Sequence, residues 1–307
     1  MIPTRPFAKT GIRVSALGFG PMALSLAGRP SAADAARLVE AVLDRGFSFL
    51  DTADTYCLGP DDLHHNERLI ARAMAAPRAG PILVATKGGT RRTTDGWQVD
   101  GTPERLYQRI CESHDALGGR ASIPLWQLHW PDPRHSIAAM MQPVHRAVEE
   151  GLVRFVGVCN VSVAQLRQAC DVLPIVSVQN QYNLWHREAE TEGMLEYCER
   201  HDLVFLPWRP LGGDGLSQRL NEIKPLAELA SERGISPQRV MIAWHLSKAQ
   251  CILPIVGFRR LDHAEDCLGA LTDALDDTDR RRLDALSASD LPRRERPAAW
   301  EGMPPLA

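Results

Sequence analysis

No stretch of this sequence approaches the ~20 consecutive apolar residues that a bilayer-crossing helix requires. The opening MIPTRPFAKTGIRVS also lacks the basic-then-apolar succession of a secretory signal. A cytoplasmic location without a membrane partner is therefore expected. A surplus of either charge is missing as well. The formal net charge is −3 and the isoelectric point near 6.4, so nothing electrostatic points to nucleic acid as a partner. The seven cysteines, at positions 57, 111, 159, 170, 198, 251 and 267, are odd in number and contain no C-x-x-C pair. Neither a disulfide framework nor a zinc knuckle is indicated, and most are read as small buried apolar groups. Nothing repeats beyond a strand-and-helix unit, and no Pro/Gly-rich linker divides the chain.

What the sequence does contain is a globular composition, 44% hydrophobic and 24% charged, enough to bury a large core. Its 307 residues suit two ordinary domains or one α/β barrel of roughly 250 residues. Short apolar runs that read as buried strands recur at 15–20, 47–51, 82–86, 125–129, 155–160, 176–180, 204–208 and 251–256, about the eight that a closed parallel barrel needs. Helical patterns lie between most of them. In SAADAARLVEAVLDRG the residues Ala35, Leu38, Val39, Val42 and Leu43 share one face, after a cap at Ser31 with Asp34 and before Gly46. Thr102-Pro103 predicts a second capped start and Ser236-Pro237 a third.

This alternation fits a barrel or an open doubly wound sheet. The spread of strands over nearly the whole chain favours a (β/α)8 TIM barrel in a single domain, 1–307. PFAKTGIRVS reads as an N-terminal β-hairpin around Thr10-Gly11, and the proline-rich tail, about 289–307, as irregular.

LGFGPMA nominally fits a dinucleotide fingerprint, but Pro21 and an irregular stretch to Ser31 follow where a helix should start at once. More telling are the polar residues at strand ends. Asp51 ends the second strand, Lys87 follows the third, His129 ends the fourth, and Tyr56 lies on the loop after Asp51. Consecutive strands sit about 4.8 Å apart, so these four converge on the carboxyl-end mouth where barrel sites are built. Each alone has a bland reading as cap, solvated amine or packing group; an acid, an amine, a phenol and an imidazole together do not. A metal reading of His64-His65 with His129 fails, because adjacent side chains diverge and no carboxylate stands at ligand spacing; no metal is expected.

F-L-D-T-A-D-T-Y, V-A-T-K, L-H-W-P-D-P, G-V-C-N, V-Q-N-Q-Y-N and I-L-P-I-V-G-F-R, in this order, resemble the aldo-keto reductase superfamily from Thr10 to Leu271. The resemblance implies a nicotinamide cofactor bound without a Rossmann domain and a catalytic tetrad at Asp51, Tyr56, Lys87 and His129. In that chemistry Tyr56 gives a proton to the carbonyl oxygen while hydride reaches carbon. Lys87 is expected to lower the Tyr56 pKa, Asp51 to keep Lys87 charged, and His129 to orient the carbonyl.

For the cofactor, the resemblance assigns Gly20 and Met22 after the first strand and, after the fifth, Asn160, which with Gln179 would hold the carboxamide. Trp208 would stack on the ring where tyrosine is more familiar, next to Arg209. Cys159 stands where serine is common. Leu211, Gly212, Gly213 and Leu216 would wrap the pyrophosphate, glycines letting amides approach an anion. Gly257 and Arg259 would meet the 2′-phosphate and Asp266 the adenosine, with Cys267 replacing the usual asparagine. NADPH is therefore expected over NADH. Met22, Cys57, Trp97 and Trp130 are the substrate-pocket candidates, pointing to an apolar or planar carbonyl compound. The expected activity is reduction of an aldehyde or ketone. The alternatives are a pyridoxal reductase, a biosynthetic sugar-ketone reductase, or a cofactor-binding redox sensor acting on a partner, against which the intact tetrad argues.

Overall fold

The structure is a computed structural model that describes residues 2–76, 78, 80–119, 121–213, 215–292 and 303. Most of the predicted tail, 293–302 and 304–307, lies outside the described residues, as does Asp214 in the glycine loop. All eight apolar runs form parallel strands: β3 (Gly18–Phe19), β4 (Phe49–Asp51), β5 (Leu83–Gly88), β8 (Ile123–Leu128), β9 (Val153–Cys159), β10 (Ile175–Gln179), β11 (Val204–Phe205) and β12 (Ile255–Val256). Neighbours run in chain order, and β12 returns to β3. The seam between β11 and the β12 segment closes by Phe205 N donating to Cys251 O at 2.9 Å and Leu253 N to Phe205 O at 2.8 Å. The sheet is thus a barrel, as the sequence led us to expect.

The predicted hairpin is β1 (Thr4–Pro6) with β2 (Arg13–Ser15), antiparallel, pairing Thr4 with Ser15. Gly11 takes φ +74° in its turn, a conformation costly for other residues. The hairpin plugs the floor: Phe7 stacks on Phe49 at the start of β4, with centroids 5.4 Å apart, and Arg5 donates to Ile252 O. Phe7, Val14, Phe49, Leu83, Leu125 and Leu253 fill the interior together.

Outside lie α1 (Ala32–Asp44), α2 (His65–Ala73), α3 (Pro103–Ala116), α4 (Ile137–Glu149), α5 (Val163–Cys170), α6 (Glu188–Thr191), α7 (Met194–Arg200), α8 (Lys224–Arg233), α9 (Pro237–Lys248), α10 (Leu261–Gly269) and α11 (Asp277–Asp284). Ser31 and Ser236 cap α1 and α9 by accepting from Asp34 N and Arg239 N, each at 3.1 Å. The predicted cap at Thr102 is not made. Thr102 turns its hydroxyl to Asp100 Oδ1 at 3.0 Å, leaving α3 to start on Pro103 alone. The loop after β5 is also more ordered than its sequence suggests, since β6 (Thr90–Arg92) and β7 (Trp97–Val99) pair as a hairpin at the barrel mouth. In the tail, Ala288–Asp290 forms a 3₁₀ turn, Trp185 Nε1 donates to Pro292 O, and Met303 is buried against Trp97 and Trp130. Among the described residues no helix is long and apolar enough to cross a membrane.

Candidate active site

The carboxyl ends of β4, β5 and β8 bring the four strand-end residues to one point. Lys87 has no solvent exposure, and its ammonium spends all three N–H groups: on Asp51 Oδ2 at 2.6 Å, Thr52 O at 2.8 Å and Tyr56 Oη at 3.2 Å. Burial works against that charge, but Asp51 and the Tyr56 oxygen outweigh it and raise the Lys87 pKa. Asp51 is braced in turn, its Oδ1 accepting from Gln179 Nε2 at 2.7 Å. Beneath it Ser177 donates to Gln127 Oε1 at 3.2 Å, and Gly157 must be bare there, since a Cβ would stand 2.2 Å from Ser177 Oγ.

Tyr56 corrects one expectation. Lys87 does pull the phenol pKa down, yet burial acts more strongly and Asp51 adds to it, so the net shift is up, to about 12. The site therefore holds Tyr56 as a protonated phenol at neutral pH, a loaded donor instead of a readily ionised one. Such a phenol can still give its proton to an alkoxide, because an alkoxide is a stronger base than a phenolate.

His129 meets the Tyr56 ring edge-on at 5.8 Å. Burial first, and the Lys87 charge second, hold its pKa well below the ordinary value, so the imidazole is neutral. Its Nδ1 lies 3.3 Å from Thr90 Oγ1, itself 3.0 Å from Thr55 Oγ1. With Thr90 donating to Nδ1, the proton sits on Nε2, free to hydrogen-bond a carbonyl oxygen. Thr90 and Thr55 were not singled out from sequence; a hydroxyl three residues past a strand-end lysine carries no distinctive signal.

A cleft of about 630 Å³ runs from this point across the barrel mouth. Gly20, Met22, Asn160, Gln179 and Trp208 form its near wall, and Arg209, Leu211, Gly213, Gly257, Arg259 and Asp266 its far wall. Asn160, at φ +57°, gives Nδ2 to His129 O at 2.9 Å and takes Trp208 Nε1 on Oδ1 at 3.0 Å. Its amide thus fixes the indole against the tetrad. Trp130 lines the cleft beside His129, but Cys57 and Trp97 lie behind the wall, Cys57 bonded to Thr55 O and Gly59 O, and Trp97 Nε1 donating to Thr55 O at 3.2 Å. Cys159 is buried near Lys87 and Asp51; Gly212 and Leu216 pack against each other under the loop. Sequence reasoning missed Gln238 and His263, which line the far end from the start of α9 and from α10. Among the described residues no His, Cys, Asp and Glu cluster could hold a metal.

Comparison with known proteins agrees with this architecture. The model of the Aldo/keto reductase family matches residues 16–288. An uncharacterized oxidoreductase of Schizosaccharomyces pombe is 33% identical over 261 residues, covering 82% of this chain and 80% of that protein. In structure, a glycerol dehydrogenase of Gluconobacter oxydans superposes with a TM-score of 0.81 at 23% identity, covering 96% of this chain and 98% of the other. An aldo/keto reductase of Klebsiella pneumoniae, solved with NADP and acetate, gives 0.76 at 20% identity over 96% and 98%. With strand order, cleft and family match in agreement, the chain belongs to the aldo/keto reductase family and is an NAD(P)H-dependent oxidoreductase.

Proposed function

We propose that this protein reduces an aldehyde or ketone to the alcohol with NADPH, acting as a single barrel domain in the cytoplasm, with Tyr56 as proton donor. The observation that carries the reading is the row Asp51–Lys87–Tyr56, hydrogen-bonded at 2.6 and 3.2 Å on the cleft floor. Tyr56 holds the proton to be given, Lys87 stabilises the phenolate left behind, Asp51 keeps the lysine charged and aimed, and His129 Nε2 orients the carbonyl oxygen.

The far wall fits a phosphorylated dinucleotide: Arg209, Arg259 and His263 supply cationic or neutral donors there, against one carboxylate at Asp266. Asn160 and Gln179 each keep an amide hydrogen beyond those already spent, and Trp208 offers a flat apolar face beside them. These residues would hold NADPH, the cofactor class bound by the Klebsiella pneumoniae relative. When bound, its dihydronicotinamide supplies the hydride. Near the tetrad the wall is Met22 and Trp130, with Trp97 and Met303 packed behind, which favours an apolar or planar carbonyl compound over a charged one.

NADPH oxidation followed by absorbance across aliphatic, aromatic and sugar carbonyls tests the reaction class. Tyr56→Phe is expected to lose roughly 10³-fold in kcat, within the range of a missing general acid, while its NADPH affinity by fluorescence titration stays within about twofold. A Tyr56→Phe enzyme that turns over like the wild type removes the assignment.

A further inference from the structure

On the helix side of β4 and β5, behind the four strand-end residues, lies a second group of ionisable side chains that the reaction does not use. The side chains of Asp54 and Glu67 have no exposed surface, His64 and Arg109 show 9% and 11%, and Glu112 closes the group at 34%. His64 turns both ring nitrogens to carboxylates, Nδ1 to Glu67 at 2.6 Å and Nε2 to Glu112 at 3.3 Å, an arrangement that an imidazolium satisfies at both ends. Arg109 binds Glu112 at 2.7 Å, and its Nε stops 3.9 Å from Asp54 Oδ2. Neither Asp54 oxygen has a side-chain donor within hydrogen-bonding distance.

This group grips the backbone that sets the Tyr56–Lys87 distance. Glu67 accepts from Thr86 Oγ1 at 2.5 Å, immediately before Lys87. Asp54 N donates to Lys87 O at 3.2 Å, and Asp54 O accepts from His64 N at 2.8 Å. Gly88, immediately after Lys87, is bare where Trp126 and the Arg109 stem close in; an added Cβ would stand 2.9 Å from the indole and 3.6 Å from Arg109 Cβ. Residues 86, 87 and 88 on one strand, and 54 on the loop carrying Tyr56, are thus held from one side.

We propose that Asp54, His64, Glu67 and Arg109 are positioning residues whose shared charge state fixes the Tyr56 loop against Lys87, and so governs turnover without touching substrate or cofactor. The proposal rests on the reading of Tyr56 as proton donor.

The groups turned toward Asp54 are Glu67 and His64 at the start of α2, Arg109 on α3 with Glu112 beyond it, and Cys57 on its own loop. Burial and the Glu67 charge push the Asp54 carboxyl up to about 7, with Arg109 and His64 acting the other way. For His64 burial opposes the charge, but Glu67, Asp54 and Glu112 prevail and its pKa is raised. Ionising Asp54 places a second buried anion beside Glu67 and draws Arg109 across the 3.9 Å gap, pulling on the Tyr56 loop. Turnover therefore falls as pH rises through about 7. Stability follows the same sign. The folded-state pKa exceeds the ordinary carboxylate value, so the folded protein binds the extra proton, and the associated stability is lost as pH climbs to about 7.

The test is Asp54→Asn, which keeps the shape without the charge, assayed for kcat at saturating NADPH from about pH 5.5 to about pH 9. Wild type is expected to drop about fivefold or more around a midpoint near 7. Asp54→Asn should be flat through that range, bind NADPH within about twofold of wild type, and melt progressively higher than wild type as pH is raised to about 7, with the difference level above it. A purely structural role would shift melting and leave the step in kcat untouched. A variant step with the wild-type midpoint, or a wild type with no step, overturns the proposal. Should Asp54→Asn fail to fold, Arg109→Gln removes the opposing cation and should move the midpoint up by about one pH unit; an unmoved midpoint rejects the idea. Tyr56→Phe run alongside separates the two failures, since an active Tyr56→Phe enzyme rejects the proton donor itself, whereas an inactive one beside an unchanged step rejects only the cluster.

Discussion

The barrel has a long-stranded side and a short-stranded side, and the two ends of the cleft are divided between them. β5, β8 and β9 run six, six and seven residues, whereas β3, β11 and β12 have two each. Lys87, His129 and Asn160 stand on or next to the long strands and are buried. The loops that would carry the dinucleotide follow the short ones, and there Arg259 is exposed, with its Nη2 on Ala27 O at 3.1 Å. Ladder length thus backs the lysine, the imidazole and the amide, while Asp51 and Tyr56 follow the three-residue β4. The other end of the cleft rests on a sparser ladder, with fewer backbone hydrogen bonds to hold its loops.

The sharpest way to break this contrast is Lys87→Met. It leaves Asp51 buried without its cation, so kcat should fall about 10²-fold or more and denaturant unfolding should show a loss of about 3–5 kcal/mol. On the short-stranded side Arg259→Gln should weaken NADPH binding about tenfold, with kcat at saturation and NADH affinity unchanged in stopped-flow and titration. If Arg259→Gln cut kcat as deeply as Lys87→Met, the division of labour would be gone. Smallest are the caps: Ser236→Ala, which also frees Asp266 from a 2.5 Å bond, should cost about 1 kcal/mol. Thr102→Ala, with no cap to lose, should stay within about 0.5 kcal/mol by thermal melting.

How far the fold could be read without coordinates depended on whether its signal was local. Eight apolar runs such as ILVAT each announced a buried strand, and polar residues at their ends announced the mouth, because a parallel barrel fixes which end is which. The β6–β7 hairpin went unread, although Asp95-Gly96 between Arg92 and Trp97 is a turn signal. Strands of three residues with arginines and threonines simply do not stand out. Thr102 looked like a cap because of its position before Pro103, yet a neighbouring acceptor, Asp100, took its hydroxyl. Cys57 and Trp97 lie on mouth loops as expected but face away from the cleft; sequence places a residue on a loop without saying which side of it is wet. The Asp54 cluster was illegible for a further reason: its members come from a loop and two helices, and only packing brings them together.

The hairpin at the floor has a consequence for how the molecule comes into being. Arg5 reaches Ile252 across 247 residues of sequence, and Phe7 and Val14 share their interior with Leu253 and Ile255. While the chain emerges from a ribosome, its first strands must therefore wait, with greasy faces uncovered, until the last rung has been translated. Contacts so distant along the polymer make ring closure late and slow, which makes the nascent cylinder most prone to clumping just before it is complete.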